Sequence, residues 1–271
     1  MNMNNLIIVR GGGDIATGTI YKLYQCGFDV LILEVAKPSA IRRNVAFCEA
    51  IYDTKKTVEN LTCYLAHDRD EVKSLLSRHQ LTLFIDPEGT IIQELKPLAV
   101  VDAILAKKNL GTKKDMAPIT VGLGPGFEAG KDVDAVIETM RGHQLGRIIY
   151  QGTAINNTGV PGLIQGYGKE RVIHSPCSGK VKHVKKITDI VKKGEIIAYV
   201  DKTPIYATLD GLLRGLIKEN YVVTKGFKMA DIDPRVNEYQ NCFTISDKAR
   251  CIAGGVVEAI LHLKREKYDL S

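Results

Sequence analysis

Short runs of apolar residues, rich in β-branched side chains and bounded by polar residues or glycines, recur along the first half of the chain. They lie at residues 6–9, 30–33, 61–65 and 81–85, with less regular ones at 100–101, 119–126 and 147–150. Uninterrupted apolar runs of this length are typical of strands that are buried on both faces of a parallel sheet. The pattern therefore predicts a largely parallel sheet in this half of the protein.

Between these runs, apolar residues repeat with the period of an amphipathic helix. The residues from Ile15 onwards predict a helix of about three turns that ends at Gly27. Asp68 is expected to cap a second helix over the segment DEVKSLLSRH. Further helices are predicted after Ser39, Asp102 and Asp132.

A long helix is predicted near the end of the chain. Ser246 or Asp247 is expected to cap it, and its apolar residues form one stripe. The adjacent Gly254 and Gly255 lie inside this helix, where glycine lowers helix stability. We interpret the two glycines as a sign of close packing against another backbone.

The alternation of strands and helices predicts an α/β fold. Residues 1–170 are expected to form a Rossmann-like parallel-sheet domain that binds a nucleotide or a cofactor. Residues 171–240 contain shorter strands and are expected to form a small β barrel-sandwich domain. The helix within residues 241–271 is then expected to pack back on the first domain.

The second predicted domain contains an internal repeat. Gly179, Val191 and Gly194 recur 32 residues later as Gly211, Val223 and Gly226. Two copies of a strand–turn–strand unit this short cannot each bury a face alone, so they are expected to interlock. The pattern resembles the biotinyl/lipoyl-type barrel-sandwich hybrid, in which a hairpin carries a modified lysine close to the place of Lys202. Because the hairpin is short and Pro204 interrupts its second strand, neither lipoate nor biotin is expected.

The first predicted strand leads into a variant of the dinucleotide-binding fingerprint. Its glycines allow a tight turn and a close approach of phosphate to the backbone, and Glu34 ends the next strand where a ribose-binding acid is expected. The candidate ligand contacts are Gly11, Gly12, Gly13, Asp14, Ala16, Thr17 and Glu34. Asp14 lies where an anionic phosphate would approach, which counts against ordinary NAD binding. The alternative is a turn that uses its glycines only for packing.

Three other groups of residues are candidates for the same ligand. Arg42 and Arg43 are either an anion clamp or solvated surface residues. Asp86, like Asp102, follows a predicted strand, where it would either contact a ligand or serve turn chemistry. Main-chain N–H groups of a second glycine loop are expected to bind an anion. The glycines of that loop are Gly122, Gly124 and Gly126.

Composition narrows the class of protein. The 271 residues are 45% hydrophobic and 25% charged, as in ordinary globular proteins, and a net charge of +6 does not by itself favour nucleic acid as a partner. No run is long enough to span a membrane, and the N-terminus lacks a signal peptide, so a cytoplasmic protein is expected. Its six cysteines are scattered and are expected to be free thiols without a metal site.

Six segments together resemble one protein family. They are RGGGDIATG, PSAIRRNVAFCEAIYD, VVDAILAKKNLGT, GLGPGFEAGKDVDAVIETMRGH, NNTGVPG and FTISDKARCIAGGVVEAIL. In order and spacing they are similar to the YqeB-type accessory proteins of selenium-dependent molybdenum hydroxylase systems, although Gly12 replaces the alanine of the GAGD pattern. The first domain also resembles the XdhC-type chaperones that handle the molybdenum cofactor. The resemblance implies a bacterial cytoplasmic protein that works beside a xanthine-dehydrogenase-like hydroxylase.

The leading hypothesis is therefore an accessory protein for maturation of such a hydroxylase. It would bind the molybdenum cofactor or an NAD-like dinucleotide at the glycine loops, and whether it catalyses a reaction is left open. One alternative is an NAD(P)-dependent oxidoreductase, for which no Ser-Tyr-x-x-x-Lys motif or His-Asp pair supplies a proton donor. The other is a non-catalytic module that docks on the hydroxylase through its barrel.

Overall fold

A computed structural model describes residues 5–159 and 162–269 of the chain. The chain folds into two compact units. The first unit comprises Met1–Pro38, Ala46–Asn157 and Ile245–Ser271, and the second unit comprises Ser39–Val45 and Thr158–Thr244. The short segment 39–45 thus belongs with the second half of the chain, and the last helix belongs with the first half.

The first unit is built around a sheet of nine strands in the order β10-β9-β7-β6-β1-β2-β5-β4-β3, beside a pair formed by β8 and β11. The strands are β1 Leu6–Arg10, β2 Asp29–Glu34, β3 Lys55–Val58, β4 Leu61–Ala66, β5 Leu81–Ile85, β6 Ala99–Asp102, β7 Ile119–Leu123, β8 Glu128–Ala129, β9 Ala135–Ile137, β10 Ile148–Ile149 and β11 Gly152–Thr153. The central strands β1, β2, β5, β6 and β7 are almost entirely buried, as the continuous apolar runs predicted.

The predicted Rossmann-like fold class is wrong, because the sheet is mixed and its crossovers are not regularly helical. Strands β3 and β10 run antiparallel to their neighbours β4 and β9 at the two edges. The described residues between β6 and β7, and between β7 and β9, contain no α-helix. Regular alternation of helix and strand is what covers both faces of an all-parallel sheet.

The first unit also contains the α-helices of the described chain. They are α1 Asp14–Gln25, α2 Ala50–Asp53, α3 Arg69–Ser77, α4 Ile92–Leu95 and α5 Asp247–Lys264. Two predicted caps are confirmed, since Asp68 accepts a hydrogen bond from Glu71 N and Ser246 accepts one from Ala249 N. Helix α5 packs on α1 so closely that a Cβ on Gly18 would lie 2.7 Å from the Ala249 Cβ. No helix in the described residues is both long enough and apolar enough to cross a membrane.

Three predicted helices are not formed. After Asp102 the chain is irregular, and the residues after Asp132 include the buried strand β9. The run Ala135–Ile137 is buried at every position, a pattern that periodicity alone does not separate from a buried helix. After Ser39 there are only two 3₁₀ turns before α2, because the N–H groups of Phe47 and Cys48 bond to Thr17 Oγ1 and Gly12 O instead of to a preceding helical turn.

The second unit, where a small β barrel-sandwich domain was expected, consists of two four-stranded antiparallel sheets, β12-β19-β17-β14 and β16-β15-β13-β18. Its strands are β12 Val172–His174, β13 Gly179–His183, β14 Ile190–Val191, β15 Ile196–Val200, β16 Thr203–Tyr206, β17 Gly211–Leu216, β18 Val222–Val223 and β19 Lys228–Asp233. The two copies of the repeat exchange strands, since β14 of the first copy pairs with β17 of the second and β18 pairs with β13.

A network of arginine and aspartate side chains lies inside the second unit. Asp231 pairs with Arg171 at 3.1 Å and with Arg214 at 2.8 Å. Asp233, which is fully buried, pairs with Arg214 at 3.4 Å and with Arg235 at 2.8 Å. Buried charges are tolerated only when they are paired in this way, so the network ties the strands β17 and β19 to the segments on either side.

Candidate functional site

The turn between β1 and α1, residues 11–13, lies at the carboxyl end of the central strands and is called the glycine turn here. Gly11 N donates to Leu33 O at the end of β2, and Ala103 N donates to Arg10 O beside the end of β6. Strand β1 lies between β2 and β6 in the sheet. The chain continues from β1 to β2 on one side, and the later strand β6 is added on the other side of β1. Ligands of open sheets with parallel strands bind at such a reversal of strand order.

The three glycines of the turn have different surroundings. A Cβ on Gly11, whose φ is +96°, would lie 3.0 Å from the backbone of Ala103, and a Cβ on Gly12 would lie 3.0 Å from Cys48 N. A Cβ on Gly13 would meet no atom within 4 Å. Gly11 and Gly12 thus allow tight packing of the protein on itself, and only Gly13 borders open space.

Helix α1 begins at this open position. Its N-cap is Gly13, so no side chain caps the first turn, and the Asp14 carboxylate accepts a hydrogen bond from Ile15 N at 2.8 Å. The helix dipole favours an anion at this end, where Ile15 N already donates to the Asp14 carboxylate. Ala16 and Thr17 are buried, and Thr17 Oγ1 accepts from Phe47 N and donates to Gly12 O at 3.4 Å. Both side chains are therefore inside the protein, and the Thr17 hydroxyl links the glycine turn to the segment at Phe47.

Glu34 touches the glycine turn directly. Its carboxylate accepts hydrogen bonds from Gly12 N and Val35 N, both at 2.8 Å. Burial raises the pKa of Glu34 above its ordinary value, and these two hydrogen bonds counteract only part of the rise. The predicted ribose-binding acid thus lies beside the turn, with lone pairs left for a hydroxyl group.

Two residues that sequence reasoning missed lie on the other side of the turn. Cys48 N donates to Gly12 O at 2.9 Å, and Glu49 follows in the same buried 3₁₀ turn. Burial and the carboxylates of Glu34, Glu49 and Asp14 raise the pKa of the Cys48 thiol well above its usual value. The thiol is therefore neutral and a poor nucleophile. The position of Cys48 beside Gly12 depends on a contact between segments that are distant in the chain, and no local sequence motif predicts such a contact.

A second missed group, centred on Arg10, fixes the loop after β6. The buried Arg10 guanidinium donates to Thr112 Oγ1 at 2.6 Å and to Pro87 O at 2.8 Å. Thr112 in turn donates to the Asp102 carboxylate at 2.6 Å, and burial raises the pKa of Asp102. The Asp102 carboxylate is thus hydrogen-bonded inside the protein. Its bonds, with those of Arg10 and Thr112, fix the backbone at Ala103 that packs against Gly11.

Asp86 serves turn chemistry. It accepts hydrogen bonds from Ile91 N at 2.9 Å and from Thr90 Oγ1 at 3.2 Å within the loop that follows β5. These bonds occupy the carboxylate of a buried side chain. Of the two interpretations open for Asp86, the structure favours the turn.

The second glycine loop, residues 122–126, is filled by other parts of the protein. A Cβ on Gly122 would lie 2.6 Å from the Phe127 ring, and one on Gly124 would lie 2.5 Å from Thr139 Oγ1. A Cβ on Gly126 would lie 2.6 Å from the backbone of Lys108. Neighbouring side chains or backbone thus occupy the Cβ direction of all three glycines, although Gly126 itself is exposed.

Arg42 and Arg43 belong to the second unit, where they bond to main-chain oxygens. Arg42 donates to Asn241 O at 2.8 Å and to Thr244 O at 3.3 Å, and Arg43 donates to Leu216 O at 2.8 Å. Leu216 N also donates to Ile41 O. The two arginines therefore hold the segment 39–45 in the second unit. Across the described parts of the chain, no group of three or more His, Cys, Asp or Glu residues could hold a metal ion.

Comparison with known proteins gives one close relative. The chain is 49% identical over 263 residues to a curated protein of Escherichia coli (strain K12) named "Uncharacterized protein YqeB". This match supports the predicted resemblance to YqeB-type proteins. It covers 97% of this chain but 48% of the relative, so the chain spans about half the length of the curated relative that it matches. No protein-family model matches the chain.

Solved structures are similar to the chain only at a low level. The product-bound ectoine utilization protein EutE (DoeB) from Ruegeria pomeroyi is 10% identical with a TM-score of 0.23, over 83% of this chain and 56% of that one. An aspartoacylase family protein from Mesorhizobium loti is 11% identical with a TM-score of 0.25, over 84% of each chain. A succinylglutamate desuccinylase/aspartoacylase from Rhodobacter sphaeroides is 13% identical with a TM-score of 0.26, over 84% and 85%. At TM-scores this low, the similarities carry no argument about fold or activity.

Proposed function

We propose that this chain is an accessory protein for maturation of a selenium-dependent molybdenum hydroxylase. In this role it holds a nucleotide- or phosphate-bearing cofactor, either the molybdenum cofactor or a dinucleotide, at the glycine turn. The observation that carries the proposal is the open space beside Gly13, at the uncapped start of α1. A phosphate group there would accept hydrogen bonds from main-chain N–H groups and gain from the helix dipole.

The charges around the turn restrict the ligand further. Asp14, Glu34 and Glu49 place three carboxylates near Cys48, and they disfavour a ligand that presents only negative charge. A ligand with a hydroxyl group next to its phosphate would give Glu34 a donor while the phosphate lies at Gly13. Nucleotides and dinucleotides have this arrangement of ribose and phosphate. Because Arg42, Arg43 and the second glycine loop are engaged elsewhere, the proposed site is confined to residues 11–14 and Glu34.

Titration of the purified chain with molybdenum cofactor, with its cytosine dinucleotide form and with NAD(P) tests the proposal. We expect saturable binding of at least one of them, and at least tenfold weaker binding by Gly13→Ala. Gly13 has φ −66° and ψ −178°, which alanine also adopts, so the variant should keep the native unfolding midpoint. Gly254→Ala, a glycine change in the same unit on α5, is the matched control and should bind like the native chain.

Two results would overturn this function. One is the absence of saturable binding to every ligand tested. The other is equal affinity of the native chain and Gly13→Ala, which would place the ligand elsewhere. Binding of NAD(P) alone, with turnover followed at the nicotinamide absorbance band, would instead favour the oxidoreductase alternative.

A further inference from the structure

One sheet of the second unit has a side that is open to solvent. In antiparallel sheets, residues directly opposite one another project to the same side. Lys182 lies opposite Tyr199, Tyr199 lies opposite Pro204, and Lys180 lies opposite Val222. We call this side the outer face, and its members are Lys180, Lys182, Tyr199, Pro204, Tyr206 and Val222.

The outer face exposes large apolar side chains. Val222 is 70% exposed and Tyr206 is 50% exposed, whereas Val181, Val200 and Val223 on the other side of the same strands are buried in the core. Tyr199 and Pro204 lie between the exposed residues and are partly buried. Tyr206 and Val222 lie on the two edge strands of this sheet, β16 and β18. An exposed sheet face that carries several large apolar side chains is a candidate interaction surface.

The lysines of the outer face form no ion pair with the described residues, although the Asp201 carboxylate accepts a hydrogen bond from Lys180 N at 2.9 Å. Lys185 and Lys192 form ion pairs with Glu195 and Asp210, but among the described residues neither Lys180 nor Lys182 has such a partner. The second unit contains 16 Lys and Arg against 9 Asp and Glu, a net charge of +7. The first unit has 21 against 22, a net charge of −1. The surplus positive charge is thus concentrated in the unit that carries the outer face.

We infer that the outer face docks a protein partner whose surface presents carboxylates opposite Lys180 and Lys182, with apolar side chains on either side of them. Two lysines without an ion-pair partner in the described part of the chain lie on the inner strand β13, and Tyr206 and Val222 lie on the edge strands β16 and β18. The face thus has a positive centre with apolar side chains on either side, which favours a partner of complementary charge. Single-stranded nucleic acid fits less well, because two lysines do not form the row of cations that follows a phosphate backbone, although Tyr206 offers a ring for base stacking. Resting on the proposed function, we take the molybdenum hydroxylase as this partner.

Biolayer interferometry with a purified xanthine-dehydrogenase-like molybdenum hydroxylase tests the inference. The variants are Lys180→Glu/Lys182→Glu and Tyr206→Ser/Val222→Ser, all at exposed positions. Each double variant should weaken binding at least tenfold, and the charge-reversed one should also lose most of the salt dependence. Lys192→Glu/Lys193→Glu, which makes the same change of charge in the turn that joins β14 to β15, is the control and should bind like the native chain.

Several outcomes would overturn the inference. They are no binding to the hydroxylase, equal weakening by the outer-face pair and the control pair, or no effect of the outer-face variants. A single-stranded oligonucleotide and phosphatidylserine vesicles are measured in parallel. Binding of either one that the outer-face variants abolish, without hydroxylase binding, would replace the protein partner by a polyanion. Cofactor binding at Gly13 is measured separately, so it still tests the proposed function if docking fails.

Discussion

The Glu34 carboxylate lies against the glycine turn in surroundings that favour its protonated form. Burial raises its pKa above the usual 4.5, and the hydrogen bonds from Val35 and Gly12 reduce this rise without cancelling it. Between the ordinary and the raised pKa, the folded chain holds a proton that the unfolded chain has released. The free energy of unfolding therefore falls as the pH rises through this window. The stabilisation that protonated Glu34 contributes is fully present only below pH 4.5, the ordinary pKa of the group.

We expect Glu34→Gln to remove this pH dependence. Urea unfolding at steps from about pH 4 to about pH 8 should show a smaller decline for the variant than for the native chain. Asp102, whose pKa is also raised by burial, adds a decline of the same sign to both proteins. The difference between the two curves therefore reports on Glu34. Parallel curves would contradict the raised pKa of Glu34.

The adjacent glycines of α5, Gly254 and Gly255, differ in how closely the rest of the protein packs against them. A Cβ on Gly255 would overlap the carbonyl oxygen of Gly146 and lie 3.2 Å from the Ile137 side chain. A Cβ on Gly254 would meet only Lys22 Nζ, at 3.7 Å. The close approach expected for both glycines is thus found at Gly255 alone. Gly254 lowers helix stability without a packing reason within this chain.

Alanine substitution should therefore move stability in opposite directions at the two positions. Gly254→Ala is expected to raise the free energy of unfolding by about 0.5 to 1 kcal/mol through helix propensity. Gly255→Ala gains the same propensity but forces α5 away from the backbone at Gly146, and it should lower the free energy by about 1 to 3 kcal/mol. Urea unfolding of both variants measures the two changes. A shift of the same sign in both would show that the backbone contact does not set the position of α5.

Elements whose signals are local could be predicted from the sequence. Helix α1 ends before Gly27, whose φ is +88°, and α3 begins at the cap Asp68, because turn and cap residues act within a few positions of the chain. The segment after Ser39 could not be predicted. Its N–H groups at Phe47 and Cys48 bond to the turn around Gly12 and Thr17, and no periodicity within the segment encodes that choice.

The candidate site divides in the same way. The place of Glu34 beside the glycine turn follows from strand, turn and helix lengths, which are local properties. Cys48 and the group around Arg10 depend on segments that meet only in the folded sheet. Arg42, although close to Glu34 in sequence, belongs to the second unit, since its partners Asn241 and Thr244 come from the other end of the chain. The local motifs therefore predicted the position of Glu34, whereas the positions of Cys48, Arg10 and Arg42 depend on contacts between distant segments.

At the scale of the whole molecule, each unit has a core of its own. One apolar cluster of the first unit surrounds Leu31 and Leu75 between the sheet and α3. The cluster of the second unit lies between its two sheets around Val181 and Leu213. A unit with its own core has its own balance of burial and chain entropy, so we expect two unfolding transitions in a calorimetric scan.

Asp233 offers a way to lower one of these transitions selectively. Burial raises its pKa, but the hydrogen bonds from Arg235 and the charge of Arg214 outweigh burial, and the pKa is lowered overall from 3.8. The ionised carboxylate therefore stabilises the second unit above its ordinary pKa, and this contribution is lost as the pH falls. Asp233→Asn removes one of the two carboxylates that pair with Arg214, and one that pairs with Arg235, and it should cost about 3 kcal/mol at neutral pH, with a smaller loss in acid.

The assignment of the two transitions follows from comparing Asp233→Asn with Gly255→Ala. The first variant alters the network between β17 and β19 and should lower only the transition of the second unit. The second variant alters the packing of α5 and should lower only that of the first unit. If either variant moved both transitions equally, or if one transition alone were observed, the units would unfold together. Their separate cores would then not be independent sources of stability.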